Sequence, residues 1–284
     1  MSVKRTKNPV PDWIQVPHPE MQHCLVSFPR KHILLVTINR PQYRNCLPVT
    51  ATIELGHLWK WYDSEPELRC AVFTGAGDKA FCAGMDLKER HDVLLTEEVA
   101  LEYPSGQFGG MSNRTGKKPI IVACNGHAHG GGMEMLLNAD VIFASPNADF
   151  RLPEVIRGVS ALAGALPRAM MLFGNHRCMD IILTGRVLTL KEAVDWGFVK
   201  EVVPLDRLVD RAIEYAAEIA ALAPDSVIIS RLAAREAWEG AGISRATMRG
   251  QELWAENMLK SKNAEEGLRA YKEKRDPKWF PSHI

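Results

Sequence analysis

The chain contains the stretch Asn125-Gly-His-Ala-His-Gly-Gly-Gly-Met-Glu134 directly after the apolar run Ile120-Ile-Val-Ala-Cys124. The apolar run predicts a buried strand, and the three glycines predict a turn into the apolar segment that follows, which has helical character. A strand that passes into a helix through such a turn leaves backbone N–H groups unpaired above the turn. We therefore expect an anion or a developing oxyanion there, with the Glu134 carboxylate beside it in the first helical turn.

A second carboxylate lies twenty residues further on, in the segment Leu152-Pro-Glu154. Each glutamate also has an ordinary explanation, because Glu134 can complement the helix dipole and Glu154 can pair with Arg151 or Arg157. However, both neighbours of Glu134 are methionines, which is an unusual setting for a solvated side chain. If the two carboxyls face one apolar pocket, burial and mutual repulsion raise the pKa of at least one. One carboxyl then holds a proton while the other accepts one, as acid–base catalysis requires.

The length and composition of the chain limit the class of protein to which it can belong. A chain of 284 residues forms one large domain or a domain with a helical appendage. Its 46% apolar and 24% charged residues are typical of a soluble globular protein. The formal net charge of +1 gives no electrostatic basis for a nucleic acid or an anionic membrane as the main partner. No apolar run approaches the roughly 20 residues that cross a bilayer, so no membrane partner is expected.

The cysteines and histidines argue against disulfides and metals. The six cysteines include no C-x-x-C pair, which indicates a reducing compartment. His127 and His129 match zinc spacing loosely, but the sequence shows no third ligand, so we expect a structural role and no metal. The final tripeptide Ser282-His283-Ile284 is a loose variant of the peroxisomal Ser-Lys-Leu signal, which suggests the peroxisomal matrix. The alternative is an ordinary frayed terminus in a cytoplasmic or mitochondrial protein.

Short apolar runs alternate with helical patterns over the first two-thirds of the chain, which predicts an α/β fold with mostly parallel strands. The predicted strands cover residues 33–38, 70–73, 120–124, 141–144 and 198–203. A predicted helix spans residues 51–62. In addition, Thr189-x-x-Glu192 is a capping box that starts a short helix, which Gly197 is placed to end.

After Pro204 the strand patterns stop and only helical patterns follow. Asn263-x-x-Glu266 is the predicted start signal of the last helix. We therefore divide the chain into an α/β core, residues 1–205, and a helical C-terminal region, residues 206–284. The predicted helices of this region cover residues 206–222, 225–239, 243–259 and 263–275.

Two further glycine-rich segments are candidate functional loops. Residues 104–117 carry four glycines, which is typical of a disordered segment or a mobile lid over a site. The stretch Gly75-Ala-Gly-Asp-Lys-Ala80 matches the pattern G-x-G-x-x-A after a strand, the loosest form of the dinucleotide fingerprint. A nicotinamide cofactor is nevertheless not expected, because Gly84 falls where the helix of that motif belongs and no strand ending in an acid follows.

The next segment, Phe81-Cys-Ala-Gly-Met-Asp86, predicts a turn through which the backbone approaches a ligand closely. Met85 follows the glycine of this turn and is placed to present its backbone N–H. Together with the N–H of Gly131, it would form a two-donor oxyanion hole. The alternative is a tight turn that only connects a strand to a helix.

Six ordered motifs of the chain resemble those of the crotonase (enoyl-CoA hydratase/isomerase) superfamily, over nearly the whole length of the sequence. They are Ile38-Asn-Arg-Pro-Gln-Tyr-Arg-Asn45, Thr74-Gly-Ala-Gly-Asp-Lys-Ala-Phe-Cys-Ala-Gly-Met-Asp-Leu-Lys88, Lys118-Pro-Ile-Ile-Val-Ala-Cys-Asn-Gly126, Gly130-Gly-Gly-Met-Glu134, Leu152-Pro-Glu154 and Leu183-Thr-Gly-Arg186. The tail Glu273-Lys-Arg-Asp-Pro-Lys-Trp279 is similar to the usual end of the family.

The resemblance implies a spiral of ββα units with a C-terminal helical region that mediates trimers, often dimers of trimers. It implies an acyl-CoA thioester ligand and no cofactor beyond the coenzyme A of the substrate. The backbone N–H groups of Met85 and Gly131 would hold the thioester oxygen as it becomes enolate-like. Glu134 would activate water toward the β-carbon, and Glu154 would protonate the α-carbon. The residues implied to contact the acyl-CoA are Arg44, Cys46, Ala83, Met85, Asp86, Leu87, Lys88, Gly130 and Gly131.

The main prediction is a hydro-lyase of fatty-acid metabolism, such as β-oxidation, that adds water reversibly and syn to an α,β-unsaturated acyl-CoA. Leu162 replaces a glycine that hydratases usually carry near the reacting water, so its side chain is expected to crowd that water or reshape the acyl pocket. One alternative within the family is a double-bond isomerase that uses Glu154 alone. Another alternative is a carnitinyl-CoA dehydratase, because the segment Gln107-Phe-Gly-Gly110 and the tail resemble those of such enzymes. A remote alternative is a non-catalytic scaffold that binds acyl-CoA or RNA.

Overall fold

Two β-sheets form the framework of the structure, a computed structural model that describes residues 10–86, 104–236, 252–253 and 261–282. The strands are β1 (Cys24–Arg30), β2 (Ile33–Ile38), β3 (Cys70–Gly75), β4 (Ala80–Cys82), β5 (Ile120–Cys124), β6 (His127–His129), β7 (Val141–Ala144), β8 (Phe150–Arg151), β9 (Val187–Leu188) and β10 (Glu201–Val202). The described α-helices are α1 (Val49–Ser64), α2 (Gly131–Leu137), α3 (Ala165–Phe173), α4 (Asn175–Thr184), α5 (Leu190–Asp195), α6 (Leu205–Ala220), α7 (Pro224–Glu236) and α8 (Lys262–Glu273).

The large sheet has the strand order β1-β2-β3-β5-β7-β10, and every pair except the antiparallel hairpin β1–β2 is parallel. Its central strands β3 and β5 are buried on both faces. Phe73 of β3 packs edge-on against Trp59 of α1, with ring centroids 5.2 Å apart. Its neighbour Val72 belongs instead to a second apolar cluster, which includes Ile213 of α6. Because successive side chains point to opposite faces, a strand covered on both faces needs an uninterrupted apolar run.

The small sheet has the order β4-β6-β8-β9, in which only the β8–β9 pair is antiparallel. It begins where β3 and β5 leave the large sheet, since β4 and β6 follow those two strands directly in the chain. Two buried asparagines hold these bends together: the side-chain amides of Asn45 and Asn125 both donate to the Ala80 carbonyl, at 2.7 and 3.2 Å. The small sheet is therefore fixed relative to the large one at the point where the glycine turn begins.

The predicted α/β class with mostly parallel pairing is confirmed, and three strands have the predicted bounds, 33–38, 120–124 and 141–144. The predicted capping box is also confirmed, because the Thr189 and Glu192 side chains each accept the other residue's backbone N–H. The strand predicted over residues 198–203 is reduced to β10. The N–H groups of residues 198 and 199 bond instead to the Ala193 carbonyl, which closes the end of α5.

The start signal predicted for the last helix is wrong by two residues. The Ser261 hydroxyl accepts the Ala264 N–H at 3.0 Å and caps α8. The Asn263 side chain donates to Asp225 at 2.8 Å and accepts the Phe280 N–H at 2.8 Å. This asparagine thus joins α8 to α7 and to the tail, a long-range use that a local pattern cannot reveal.

Some predictions fall on parts of the chain that lie outside the described residues. These parts are residues 237–239 of the second predicted C-terminal helix, residues 243–259 except for 252–253, and the last two residues of the terminal tripeptide. Among the described helices, none combines the length and the apolar character that crossing a membrane requires.

The segment of residues 104–117 has an ordered backbone, so the predicted disorder is wrong, and a mobile lid over the site stays a prediction. Its 3-10 turn, Phe108–Gly110, is buried, and the Gly109 carbonyl accepts the indole N–H of Trp59 at 3.0 Å. A Cβ placed at Gly110 would lie 2.5 Å from the Cα of Gly56 in α1. The glycines of this segment therefore allow close backbone packing against α1, which composition alone does not distinguish from flexibility.

Helix α6 packs against the large sheet and shares its second apolar cluster. Leu208, Ala212 and Ile213 of α6 lie in this cluster with Val72 and Phe143 of the sheet. The first helix after the last strand is therefore part of the main body of the fold. Its burial explains the regular spacing of apolar residues along residues 206–222.

An ion-pair cluster around Asp140 joins α7 to the starts of β5 and β7. The Asp140 carboxylate accepts the Ile120 N–H at 2.8 Å, the Arg231 Nε at 2.8 Å and the Arg235 Nη2 at 3.1 Å. Although burial opposes ionisation, the two guanidinium groups hold the pKa of Asp140 below its usual range. Removal of this carboxylate would leave two largely buried cations without their counter-ion.

We expect Asp140→Ala to lower the free energy of unfolding by about 3–5 kcal/mol, because water cannot replace the lost charge partner. Urea denaturation followed by circular dichroism measures the change. Asp195→Ala is the control, since it removes an exposed i,i+4 pair with Lys191 and is expected to cause no measurable change. Equal changes in the two variants would contradict the assignment of Asp140 as a buried structural charge.

Candidate active site

The glycine turn between β6 and α2 lies at the centre of the site. Gly130 has a φ of +55°, and its carbonyl accepts the Glu134 N–H at 3.0 Å. Gly131 is the first residue of α2, so its N–H has no partner within the helix. A Cβ at Gly132 would collide with the Cys82 carbonyl oxygen, because the backbone of β4 passes directly against this turn. The predicted strand, turn and helix are therefore present.

A second turn, at Gly84 and Met85, lies against the first. Leu47 donates its N–H to the Gly84 carbonyl at 2.9 Å and accepts the Asp86 N–H at 3.0 Å, so this bridge does not use the Met85 N–H. Gly84 has a φ of +100°, and a Cβ there would lie 3.6 Å from the Gly131 nitrogen. The two N–H groups predicted as a pair of donors thus come from turns that are in contact.

Glu134 is buried in the first turn of α2, with 4% of its surface exposed. Its Oε1 accepts the Ala163 N–H at 3.2 Å. Burial and the nearby charge of Glu154 raise the pKa of Glu134 to about 7, although N–H groups of residues 163 and 165 oppose the shift. The predicted effect of two neighbouring carboxyls on at least one pKa is therefore present in the structure.

Glu154 lies next to Gly130 of the glycine turn. It begins a 3-10 turn, Glu154–Arg157, shortly after β8. Its Oε1 lies 3.1 Å from the position that a Cβ would occupy at Gly130. A side chain at Gly130 would therefore contact this carboxylate. The two glutamates and the glycine turn are brought together as the sequence predicted.

Arg168 is a residue of this region that the sequence analysis missed. It lies in α3 and is largely buried, and it donates to the Gly164 carbonyl, to Asn113 Oδ1 and to Asn138 Oδ1 at 3.0–3.1 Å. These bonds hold the turn that presents the Ala163 N–H to Glu134. An arginine within the apolar stretch of α3 was the available signal, because a buried arginine needs several acceptors.

The residues predicted to contact the acyl-CoA form one neighbourhood where the structure describes them. The Arg44 carbonyl accepts the Ala83 N–H at 3.1 Å, which places residues 44–47 beside residues 83–86. Arg40, which the sequence analysis did not single out, donates to the Cys46 carbonyl at 2.6 Å and to Asp86 at 3.2 Å. The predicted contacts Leu87 and Lys88 lie outside the described residues.

Leu162 lies in the turn before α3, one residue before the N–H that contacts Glu134. Its side chain is 81% exposed, and it is the N–H of the next residue that contacts the Glu134 carboxylate. Among the described residues, the Leu162 side chain therefore does not pack into the apolar core around Glu134, and its effect on the reacting water stays a prediction.

The conclusion that His127 and His129 lack a third partner is wrong. Asp149 Oδ1 lies 2.7 Å from His127 Nδ1 and 2.7 Å from His129 Nε2. Asp149 is distant from the histidines in the sequence and immediately precedes β8, which pairs with β6. Sheet pairing, which the sequence spacing does not show, brings the three side chains together.

The chain is similar to known proteins over most of its length. The family model described as enoyl-CoA hydratase/isomerase matches residues 29–281. A mevalonyl-coenzyme A hydratase from Aspergillus fumigatus is 42% identical over 267 residues, which cover 94% of this chain and 98% of that protein. A carnitinyl-CoA dehydratase from Proteus mirabilis is 34% identical, over 91% of this chain and 99% of that protein. The crystal structure of an enoyl-CoA hydratase from Mycobacterium tuberculosis has a TM-score of 0.82 and 31% identity, over 92% of this chain and 99% of that one.

The raised pKa of Glu134 predicts that Glu134→Gln stabilises the protein in a pH-dependent way. The unfolded chain loses this proton near pH 4.5, whereas the folded chain keeps it to about pH 7. Stability of the wild type therefore falls as the pH rises through this interval, and the full cost remains above it. Glutamine does not titrate, so the variant avoids this cost. We therefore expect the Tm of the variant minus the Tm of wild type to be larger at about pH 8 than at about pH 5.

Thermal unfolding of the two proteins at both pH values measures this difference. The pair of measurements at the lower pH is the control, since both side chains are then mostly neutral in the folded state. A Tm difference that does not change with pH would show that the pKa of Glu134 is not raised by folding.

Proposed function

The chain belongs to the enoyl-CoA hydratase/isomerase family and is an enzyme of the hydro-lyase type. From this premise we propose that it interconverts mevalonyl-CoA with its dehydrated, α,β-unsaturated thioester. In this proposal Glu134 and Glu154 carry the acid–base chemistry. The backbone N–H groups of Met85 and Gly131 form the oxyanion hole. Coenzyme A is part of the substrate, and the reaction needs no further cofactor.

Dehydration begins at the α-carbon. The Glu154 carboxylate takes the α-proton, and the electron pair moves through the thioester to its oxygen. The N–H groups of Met85 and Gly131 stabilise the negative charge there. The enolate then expels the β-hydroxyl group, to which Glu134 gives the proton that completes a water molecule. Hydration is the reverse sequence, and we expect water and proton to add syn.

One observation carries this assignment. A carboxyl is buried beside a helix-initiating glycine turn, and a second carboxyl lies next to Gly130 of the same turn. Addition of water to an unsaturated thioester needs a group that takes a proton, a group that gives one, and anion stabilisation between them. Gly130 and Gly131 form the turn next to both glutamates, which supports the assignment of these three roles to adjacent groups.

The mevalonyl group is proposed on two grounds. The identity with the mevalonyl-coenzyme A hydratase of A. fumigatus, 42%, exceeds the 34% identity with the carnitinyl-CoA dehydratase of P. mirabilis. The β-carbon of a mevalonyl group bears a methyl branch beside its hydroxyl and therefore needs room near the acid that protonates the hydroxyl. Ala163, whose backbone N–H contacts the Glu134 carboxylate, has a small side chain, which is compatible with such room.

We also propose that copies of the chain associate, with a homotrimer as the expected assembly. Support comes from three apolar side chains that are exposed in the single chain: Val155 at 45%, Ile156 at 51% and Leu183 at 69%. Ile156 lies near Gly185, directly after the helix that carries Leu183, so the three side chains belong to one region. A neighbouring subunit on this region would lie beside the segment that carries Glu154.

We expect purified protein to convert mevalonyl-CoA to the unsaturated thioester faster than carnitinyl-CoA or unbranched 3-hydroxyacyl-CoA. Ultraviolet absorbance of the newly conjugated double bond measures the rate. Glu134→Gln is expected to lower kcat at least about 100-fold, because the hydroxyl group must then leave without its acid. Glu218→Gln, in which a 67% exposed glutamate of α6 is changed, is the matched control and is expected to keep wild-type activity.

Other outcomes of this panel point to other functions. Conversion of a 3-enoyl thioester to the conjugated isomer, with Glu134→Gln still active, would favour an isomerase that uses Glu154 alone. A preference for carnitinyl-CoA would retain the reaction type and change the substrate. Activity on unbranched thioesters alone would contradict the mevalonyl assignment.

The shared proton of the two glutamates predicts the pH dependence of turnover. Before dehydration the proton is on Glu134, and afterwards it is on Glu154, so the pair holds one proton throughout. A pKa of about 7 for Glu134 means that the pair loses this proton near neutrality. We therefore expect kcat/KM to fall as the pH rises through about 7 in both directions. A rise in one direction with a fall in the other would contradict a shared proton.

A further inference from the structure

The cluster of His127, His129 and Asp149 lies outside the acid–base chemistry described above. The two histidines occupy alternate positions of β6, so their imidazoles share one face of the strand. Ala128, between them, points to the opposite face and is fully buried. The three side chains remain 24–38% exposed, so solvent and ions reach them.

We propose that His127, His129 and Asp149 bind one divalent transition-metal ion, with Zn²⁺ as the best fit. Two imidazole nitrogens and one carboxylate oxygen form a common ligand set for zinc in proteins, with water in the fourth position. The three ligand atoms all lie within 4.8 Å of one another. In a tetrahedral site with bonds of about 2.0–2.1 Å, neighbouring ligand atoms are roughly 3.3 Å apart.

Small side-chain movements are enough to form this geometry. Each imidazole nitrogen is 2.7 Å from Asp149 Oδ1 in the structure, so an ion entering between them needs an expansion of about 0.6 Å. The ion would replace the two hydrogen bonds that the imidazoles make with Asp149. Each ring would then keep its proton on the nitrogen that faces away from the ion, since the ligating nitrogen must be deprotonated.

The backbone around the cluster is already ordered by sheet bonds. The Ala128 N–H donates to the Asp149 carbonyl at 2.9 Å, and the His127 N–H donates to the Lys79 carbonyl at 3.0 Å. In the small sheet, β6 lies between β4 and β8. Ligands on paired strands lose little freedom on binding, which favours affinity.

A metal ion bound to the cluster would stabilise the candidate active site, because the cluster is next to the segments that carry it. His129 immediately precedes Gly130, and Asp149 immediately precedes β8, which leads to Glu154. An ion bound to all three residues would tie together the two strands that carry the glycine turn and the second carboxylate. This metal would hold the scaffold of the site, and it replaces our expectation from the sequence that the chain binds no metal.

The test uses full-length protein without a polyhistidine tag, stripped with a chelator and titrated with zinc chloride in a calorimeter. We expect one zinc per chain in wild type and in His57→Gln, a control that removes an exposed histidine of α1. Asp149→Asn and His127→Gln are each expected to weaken binding at least about tenfold. Saturating zinc should raise the Tm of wild type and His57→Gln by several degrees, and that of the two cluster variants much less.

Cobalt(II) provides a second readout, because a tetrahedral site with nitrogen and oxygen ligands gives an intense visible absorption that octahedral aqueous cobalt lacks. We expect this band in wild type and its loss in His127→Gln. This variant keeps the charge of Asp149, so it also serves as the test if Asp149→Asn fails to fold. Absence of zinc binding by wild type would overturn the proposal. So would equal zinc affinity in wild type and in either folded cluster variant.

Discussion

The contact between two backbone turns, one at Gly84 and the other at Gly130 to Gly132, is the constraint on which the candidate site depends. A Cβ at Gly132 would collide with the β4 backbone, and a Cβ at Gly84 would lie 3.6 Å from the Gly131 nitrogen. This contact places the two predicted donors, the Met85 and Gly131 N–H groups, in adjoining turns. The side-chain amides of Asn45 and Asn125 stabilise the bends between the two sheets next to this contact, since both donate to the Ala80 carbonyl. Geometry of this kind places donors before any ligand arrives, which is how an oxyanion hole acts.

The two buried carboxyl groups Asp140 and Glu134 have different electrostatic surroundings. Asp140 is neutralised directly by Arg231 and Arg235, and its pKa is held low, so its role is to join helix α7 to the large sheet. Glu134 instead receives backbone N–H groups while Glu154 lies nearby, and its pKa is raised to about 7. The ionised form of Glu134 costs stability, and the same cost gives the carboxyl a pKa suited to proton transfer at neutral pH.

Much of the fold could be predicted because strands buried on both faces read as continuous apolar runs, as residues 33–38 and 120–124 do. The glycine turn and both glutamates were also evident, since each depends on local chemistry and on a short ordered motif. Other features were predicted wrongly or missed. The glycine-rich residues 104–117 pack against α1 and are not disordered, and Asn263 joins distant segments and does not cap α8. In both cases the decisive partner is far away in the chain.

The sequence by itself determined the α/β class, the family resemblance and the identity of the two carboxylates, because these follow from periodicity and from motifs of adjacent residues. Only the tertiary structure decided which groups meet. It placed Arg168 behind the turn that faces Glu134, and it brought Asp149 between two histidines. It also set the pKa of Glu134, which depends on burial and on the distance to another charge. Such quantities depend on separations in space, and a linear pattern contains separations along the chain alone.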